Sequence, residues 1–196
     1  SEKLGRILAL VLRHAPEKFG VEMDINGWVD SNELCNSIKA QRRDLHWLKS
    51  WHFEAIAVTE EKGRYQVEGE RMRATYGHSI EIEIDLPTDN IPEVLFYPVN
   101  PEEIDDVLKL GIKAGDRRHV HLSKTIGKAF EAGKVRFDEP AIIEVDAIQA
   151  ISDGHTIHRA GTMVYLSEEV PPDYLYRVSN DDPELIEVLQ QRAEEE

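Results

Sequence analysis

The sequence contains a single cysteine, Cys35, so no disulfide can form within the 196-residue chain. A chain without disulfides is typical of a reducing compartment, and we expect a cytoplasmic protein. No apolar run approaches the roughly 18 residues that a membrane-spanning helix needs, and no secretory signal pattern opens the sequence. We therefore expect neither a membrane anchor nor a secreted, disulfide-stabilised fold.

An overall excess of basic residues is also missing. The chain has 23 Lys and Arg residues against 38 Asp and Glu residues, a formal net charge of −15. A general electrostatic footprint for nucleic acid is therefore absent. The acidity is uneven, however, because residues 107–136 contain 8 basic residues and only 2 acidic ones. This local basic stretch predicts that any contact with nucleic acid is short and confined to one site.

Three common nucleotide and hydrolase motifs do not occur: the phosphate-binding lysine loop, Gly-x-Ser-x-Gly and Gly-x-Gly-x-x-Gly. Their absence leaves no support for a phosphate-loop NTPase, an α/β-hydrolase or a Rossmann dehydrogenase. His119 and His121 alternate along a predicted strand and could form a metal pair. Neither a cysteine cluster nor a His-Glu-x-x-His pattern accompanies them, so we expect no metal and favour a sugar or amide contact for one of them.

The first part of the chain has the pattern of a small helical domain followed by a hairpin. Apolar spacing predicts a helix that ends before Pro16, and Asp30 with Glu33 three residues later predicts the start of a second helix. This order of elements is typical of a winged-helix fold. The predicted elements are helices over 4–12, 31–40 and from about 44, and strands over 54–59 and 64–68.

Beyond Ser79 the pattern changes to strands that alternate with helices. Isoleucines alternate with acidic residues over 80–84 and predict a strand with one buried face. We expect an α+β chain with a lobe over 1–84, a second lobe over 93–178 and an acidic tail over 179–196. The predicted elements of the second lobe are strands over 94–99, 120–122, 141–145, 162–166 and 174–178, and helices over 101–110 and 124–132.

Arginine and histidine occur in short motifs beside glycine and small polar residues. Arginine matches the oxygens of a phosphate monoester in a bidentate way, and histidine adds a donor that titrates near neutral pH. Arg13 and His14 precede a helix-ending proline, Arg73 lies shortly before Gly77, and Arg136 follows a predicted helix end. Each alone is most simply a surface residue; together they predict a site for a phosphate dianion.

Four motifs give the chain a resemblance to the RNA 2′-phosphotransferases, NAD-dependent enzymes that remove an internal 2′-phosphate from RNA. Residues 12–14 (Leu-Arg-His) resemble the Leu-Arg-His of this family, and residues 73–79 (Arg-Ala-Thr-Tyr-Gly-His-Ser) resemble its Arg-Ala-x-Gln-Gly-His-Ser. Residues 119–123 (His-Val-His-Leu-Ser) match its His-Val-His-Leu-Ser. Residues 161–172 resemble its Asn-Gly-Val-Trp-Leu and following Val-Pro-Pro.

The resemblance implies a winged-helix-like N-terminal lobe and an ADP-ribosyltransferase-like mixed β lobe. It implies NAD as co-substrate, an ADP-ribosylated RNA 2′-phosphate intermediate, and release of nicotinamide and ADP-ribose 1″,2″-cyclic phosphate. The implied partner is RNA with an internal 2′-phosphate, such as a tRNA splice junction, and we expect a monomer. The implied residues are Arg13, His14, Arg73 and Arg136 for catalysis, Arg13, His14, Arg73, His78 and Ser79 for the RNA phosphate, and Tyr97, His119, His121, Leu122, Ser123 and Val164 for NAD.

The sequence departs from the family pattern on the NAD side. Residues 97–100 read Tyr-Pro-Val-Asn where the family has Tyr-His-Gly-Thr, and Phe137 and Asp138 replace the His-Gly that follows its arginine. The segment before Leu166 is also altered. An RNA- or nucleotide-binding relative impaired in NAD use therefore stands as the alternative. A winged-helix regulator that binds duplex DNA is disfavoured, because the chain up to Ile84 has 12 basic residues against 14 acidic ones.

Overall fold

The structure is a computed structural model that describes residues 2–196 and has the α+β architecture predicted from the sequence. The chain divides into two compact units. The first unit contains the chain up to Leu86 together with Asp116–Arg118 and Ala160–Thr162, and the second contains Pro87–Gly115, His119–Arg159 and Met163–Glu196.

Three helices and a small sheet form the first unit. Helix α1 (Glu2–Ala9) continues into a π-helical turn (Leu10–His14), which ends before Pro16 as the sequence predicts. Helix α2 (Ser31–Gln41) begins at the predicted cap, where the Asp30 carboxylate accepts the Glu33 backbone N–H at 2.8 Å. Helix α3 (Trp51–Thr59) follows.

The sheet of the first unit has the order β1-β3-β2 and is antiparallel. Its strands are β1 (Val29–Asp30), β2 (Tyr65–Glu68) and β3 (Arg71–Ala74). Met72 at the centre of β3 is fully buried in the same core as residues of α1 and α2. The hairpin β2–β3 therefore lies against the helices, and the chain that leaves β3 carries residues 73–79.

Two predicted strands of this unit are wrong. Residues 54–59 belong to α3, because Phe53, Ile56 and Ala57 follow helical spacing and pack against the core. Residues 80–84 form no strand, although Ile80, Ile82 and Ile84 are each less exposed than their acidic neighbours. Residues 80–84 instead run beside the loop that contains Ile25, where the Glu83 backbone N–H donates to the Ile25 carbonyl at 2.7 Å. The alternation indicates an extended segment with one half-buried face. It does not indicate whether a neighbouring strand is available for pairing.

The second unit is built on a six-stranded sheet of order β7-β8-β5-β4-β6-β9. Every strand pair is antiparallel, so the expectation of a mixed sheet is wrong. The strands are β4 (Val94–Val99), β5 (Val120–Ser123), β6 (Ala141–Asp146), β7 (Ile157–Arg159), β8 (Val164–Ser167) and β9 (Leu175–Arg177). The helices are α4 (Ile104–Leu110), α5 (Ile126–Gly133), α6 (Ala147–Ser152) and α7 (Pro183–Glu195).

Each face of this sheet has its own apolar cluster. Leu95, Leu122 and Ile143 belong to the larger cluster, and Phe96 and Ile142 belong to the one that includes α5. Neighbouring residues along a strand therefore point to opposite faces. The predicted acidic tail contains α7, whose Leu185 is buried against α5. The sequence pattern missed α6 and β7.

Cys35 is buried in the first unit, and its Sγ lies 3.5 Å from the Leu48 carbonyl oxygen. Burial raises the pKa of its thiol, an effect that nearby Lys39 and Lys49 oppose. None of the helices among residues 2–196 is long and apolar enough to cross a membrane.

Candidate active site

The first and second arginine–histidine motifs meet in the first unit. The Ser79 backbone N–H donates to the Arg13 carbonyl at 3.0 Å, and the Ser79 hydroxyl lies 2.7 Å from His14 Nδ1. Arg13 and His14 are in the π-helical turn that ends α1, and Ser79 closes the segment after β3. Three residues that the sequence assigned to a phosphate site are thus brought together by backbone and side-chain hydrogen bonds.

The Arg13 guanidinium has buried hydrogen-bond donors that are unpaired among the described residues. Its Nε and Nη2 atoms are buried and have no hydrogen-bond partner within residues 2–196. The guanidinium lies over the Tyr76 ring, 5.1 Å from the ring centroid. A side chain at Gly77 would place its Cβ 3.0 Å from Arg13 Cζ, and Gly77 has φ +86. Glycine therefore lets the backbone pack directly against the guanidinium.

Unpartnered buried donors are costly, since a lost hydrogen bond to a buried group costs about 1–3 kcal/mol. Groups left in this state mark strain or a function that uses them. The N–H groups of Arg13 are suited to the oxygens of an anionic ligand, which would satisfy them.

The electrostatic environment of this cluster is cationic. Burial lowers the pKa of the Arg13 guanidinium, and Arg64 and Arg117 lower it further, while Tyr65 and Tyr76 oppose the shift. Burial together with Arg13 and Arg117 also lowers the pKa of His14. Because these positive charges repel one another in the free protein, they favour the binding of a dianion among them.

Sequence reasoning missed the contribution of residues 116–118 to this site. Arg118 Nε donates to the Ser79 carbonyl at 3.1 Å, and Arg117 lies close enough to affect the pKa values of Arg13 and His14. The only signal in the sequence was the basic stretch over 107–136. That stretch did not indicate which of its cations would reach Ser79, because the pairing depends on the tertiary fold.

Arg73 lies in a different environment from the one expected of a phosphate ligand. Its side chain is 6% exposed, stacks 4.2 Å from the Trp28 ring centroid, and forms an ion pair with Asp85. Its Nε donates to the Gln66 side chain at 2.9 Å and its Nη1 to the Asn26 carbonyl at 3.2 Å. None of these bonds is to His14 or Ser79. Arg73 therefore connects β3 to Gln66 on β2, to the Asn26 turn and to Asp85.

His78, the other predicted phosphate ligand of this motif, is buried. A Cβ at Gly27 would lie 3.6 Å from His78 Nε2, so the ring packs on the turn that also accepts the Arg73 hydrogen bond. Arg73 and His78 thus share the Asn26–Gly27 turn, while His14 and Ser79 are exposed and Arg13 is half-buried beside them.

The fourth predicted catalytic residue, Arg136, belongs to the second unit. It follows α5, where its backbone N–H donates to the Gly133 carbonyl at 3.0 Å. The side chain is exposed and forms no ion pair with an acidic residue among those the structure describes. Arg136 is therefore a cation available to an external ligand.

The residues predicted to hold NAD divide between the two faces of the six-stranded sheet. Ser123 on β5 is opposite Phe96 on β4 and Val164 on β8, so these side chains share one face. His121, two residues before Ser123, is on that face as well.

Tyr97 and Leu122 point to the opposite face, where both pack in the larger apolar cluster. His119 precedes β5, and its carbonyl oxygen lies 3.0 Å from His121 Nδ1. The structure therefore groups His121, Ser123 and Val164 and leaves the side chains of Tyr97 and Leu122 in the core.

Pro98 is located where the pairing of β4 with β5 stops. The Ile142 carbonyl accepts the backbone N–H of Val178, which directly follows β9, at 3.0 Å. In the opposing pair Pro98–Ile142, the Pro98 nitrogen therefore points to the β5 side. The β4–β5 ladder consists of the single pair Phe96–Ser123, and continued pairing would place His121 opposite Pro98. Proline has no N–H to offer there. Pro98 therefore leaves β4 without an N–H at the position that faces His121.

No group of three or more His, Cys, Asp or Glu side chains within residues 2–196 is arranged to hold a metal ion.

Binding of a phosphate dianion is expected to be accompanied by proton uptake at His14. The pKa of His14 is lowered in the free protein, so the ring is neutral near pH 7; a dianion favours the charged ring and raises that pKa. Calorimetry with a 2′-phosphorylated RNA in buffers of different ionisation enthalpy measures the uptake. His14→Asn should abolish most of it at pH 7. Equal uptake in both proteins would contradict this assignment.

The fold and this cluster define an α+β protein with a group of cations around Arg13 and His14, and comparison with known proteins identifies its relatives. The family model for the RNA 2′-phosphotransferases of the Tpt1/KptA family matches residues 1–169. The chain belongs to this family of RNA 2′-phosphotransferases. The family resemblance expected from the motifs is thereby confirmed.

Curated relatives support the same assignment over nearly the whole chain. The probable RNA 2′-phosphotransferase 1 of Archaeoglobus fulgidus is 40% identical over 176 residues, which is 90% of this chain and 80% of that protein. The probable RNA 2′-phosphotransferase of Methanosarcina acetivorans is 41% identical over 175 residues, 89% of this chain and 83% of that protein. The probable RNA 2′-phosphotransferase of Thermoplasma acidophilum is 37% identical over 175 residues, 89% of this chain and 74% of that protein.

Proposed function

We propose that this protein transfers an internal 2′-phosphate of RNA to NAD, leaving a 2′-hydroxyl RNA. The observation that carries the proposal is the Arg13 guanidinium, whose Nε and Nη2 are buried without partners beside the His14–Ser79 pair. Such a group suits the two negative charges of a phosphate monoester. The natural substrate that we propose is RNA with one internal 2′-phosphate, as at a tRNA splice junction.

We assign the reacting phosphate to the residues of the first unit. Arg13 binds its oxygens, and His14, oriented by the Ser79 hydroxyl, stabilises the 2′-oxygen as it leaves phosphorus. Arg117 and Arg118 add positive charge around the same group. Arg73 acts as a positioning residue for the loop that carries Ser79, through its bonds to Asn26 and Asp85.

NAD, as co-substrate, supplies the ribosyl carbon that accepts the phosphate, and nicotinamide is the leaving group. His121, Ser123 and Val164 would contact such a ligand, because they combine polar and apolar groups on one sheet face. Arg136 of the second unit is proposed as a further catalytic cation, as the family resemblance implies. In this proposal the first unit acts as a winged-helix-like RNA lobe and the second as an ADP-ribosyltransferase-like lobe.

The test is a short RNA with one internal 2′-phosphate, incubated with the protein in the presence and absence of NAD. We expect NAD-dependent conversion to 2′-hydroxyl RNA, with one nicotinamide and one ADP-ribose 1″,2″-cyclic phosphate released per RNA. An RNA without the 2′-phosphate is the matched control and should release no nicotinamide. Conversion that proceeds equally without NAD would contradict the proposal.

Substitution of Arg136 with alanine is expected to lower turnover on the order of 10²–10³-fold while leaving the thermal unfolding midpoint unchanged. The side chain is exposed and forms no ion pair with an acidic residue among residues 2–196, so its loss should leave the fold intact. Lys128→Ala, an exposed cation on α5, is the control and should keep wild-type turnover. Wild-type turnover in Arg136→Ala would remove Arg136 from the catalytic set.

A second candidate function is suggested by Pro98, which ends the β4–β5 ladder next to His121. In that case the protein is an RNA- or nucleotide-binding relative impaired in NAD use. The same assay distinguishes the two functions: RNA binding without nicotinamide release, even at high NAD concentration, supports the binding protein.

A further inference from the structure

A pair of exposed tryptophans marks a surface of the first unit that has no role in the site described above. Trp47 is 42% exposed and Trp51 is 61% exposed. Exposing large aromatic side chains to water is unfavourable, and neighbouring exposed aromatics mark interaction sites. Trp28, by contrast, is buried.

The two tryptophans share one histidine and form a continuous aromatic surface. The rings of Trp51 and His52 are stacked, with centroids 3.9 Å apart and an interplanar angle of 26°. Trp47 meets the His52 ring edge-on at 5.3 Å. The His52 ring is fixed in turn, because its Nδ1 accepts the Lys49 backbone N–H at 2.8 Å. The surface is therefore ordered before any ligand arrives.

The chain that leads into this aromatic surface is locally basic, although the protein is strongly acidic and the exposed Glu54 follows Trp51 by one turn of α3. Residues 39–52 contain four Lys or Arg residues and one acidic residue, Asp44. Asp44 is already neutralised by Lys3 at 3.3 Å and Arg42 at 3.2 Å. Lys39, Arg43 and Lys49 form no ion pair with an acidic residue anywhere in 2–196. Lys39 and Lys49 lie near the same buried thiol of Cys35, so they flank one region.

We propose that Trp47, Trp51 and His52, flanked by Lys39, Arg43 and Lys49, form a stacking platform for unpaired bases of the RNA substrate. The proposal deepens the proposed function, since it assumes that RNA is the substrate. Aromatic rings beside free cations match a single strand, which offers a base face and a phosphate at each nucleotide. A protein partner is disfavoured, because the three free cations would then need acidic partners as well.

Binding of an unmodified, unstructured 12-nucleotide RNA at low salt tests the platform without NAD or a 2′-phosphate. Trp51→Ala should weaken binding roughly five- to a hundredfold, the range found for loss of one base stack. Trp51→Phe keeps an aromatic face and should remain within a few-fold of wild type. Tyr176→Ala is the matched control, because Tyr176 is 54% exposed in the second unit. Unchanged binding by Trp51→Ala, or equal weakening by Tyr176→Ala, overturns the proposal.

Two further comparisons separate stacking from charge and from self-association. Lys49→Gln should reduce the salt dependence of log affinity by about 0.7, the contribution of one phosphate contact to a single strand. An RNA duplex of the same sequence should bind more weakly, because its bases are already stacked; tighter duplex binding would overturn the proposal. Wild-type self-association that Trp51→Ala abolishes, with RNA binding retained, would overturn it in favour of a second copy of this chain.

Failure of this proposal is distinguishable from failure of the proposed function. Phosphate transfer from a 2′-phosphorylated trinucleotide, which offers few bases to stack, should be the same in wild type and Trp51→Ala, whereas the KM for a 12-nucleotide substrate should rise in the variant. Binding of the unmodified RNA reports the platform even when no transfer occurs. Unfolding curves of Trp51→Ala should match wild type, because the side chain is exposed.

Discussion

Replacement of Arg13 with methionine is expected to lower 2′-phosphate transfer by about 10²–10³-fold without loss of stability. Methionine fills the space beside Tyr76 but offers no donor to the phosphate. The free energy of unfolding should equal or exceed that of wild type, because Nε and Nη2 of Arg13 are buried without partners in the free protein. Steady-state kinetics and urea unfolding of the same samples measure both effects.

The combination of lost activity and retained stability separates a functional arginine from a structural one. Arg6→Met, an exposed arginine on α1, is the control and should change neither quantity. A large loss of stability in Arg13→Met would show that the guanidinium has a structural partner and would contradict its role as a ligand-binding group. Residues that bind a ligand often lower the stability of the free protein.

Substitution of Gly133 with alanine is expected to destabilise the second unit by about 1–3 kcal/mol, a typical cost of overpacking. A Cβ at Gly133 would lie 2.7 Å from the Cβ atoms of both Pro98 and Pro140, which are rigid. Turnover should fall as well, because the Gly133 carbonyl accepts the Arg136 backbone N–H and sets the direction of that segment. Chemical denaturation and single-turnover kinetics provide the two measurements.

The same helix supplies the control for this experiment. A Cβ at Gly127 would meet Val188 Cγ2 at 3.5 Å, an ordinary contact. Gly127→Ala should therefore stabilise the protein by about 0.5–1 kcal/mol, the gain in helix propensity. If Gly133→Ala is as stable as Gly127→Ala, the close packing of Gly133 on Pro98 does not restrict the residue at position 133. The inference that this packing directs the segment carrying Arg136 would then be wrong.

Local signals in the sequence were sufficient for many elements. The Asp30–Glu33 cap, the helix end before Pro16, and the strand over 94–99 depend on neighbouring residues, and each is present in the structure. Residues 54–59 were assigned wrongly because a short apolar run fits a helix as well as a strand. Residues 80–84 were assigned wrongly because apolar alternation does not show whether a segment has a neighbouring strand to pair with. The antiparallel order of the second sheet likewise depends on contacts between distant segments.

In the candidate site, too, local sequence motifs indicated some features, and only contacts between distant segments showed the others. Motifs indicated Arg13, His14 and Ser79, and the structure joins them by hydrogen bonds. No local pattern could show that Arg73 is enclosed by Asp85 and Trp28, or that Arg117 lies near His14. Charge and residue type predict the chemistry of a site, whereas the partner of each cation depends on tertiary structure.

The state of Cys35 has a practical consequence for spectroscopy. Its thiol is buried and has a raised pKa, so it carries little of the reactive thiolate at neutral pH. The natural protein therefore already serves as an unreactive background for maleimide chemistry. One cysteine introduced at an exposed position of either unit would take a single fluorophore or spin label. Two such cysteines would allow the distance between their labels to be followed without first removing the native thiol.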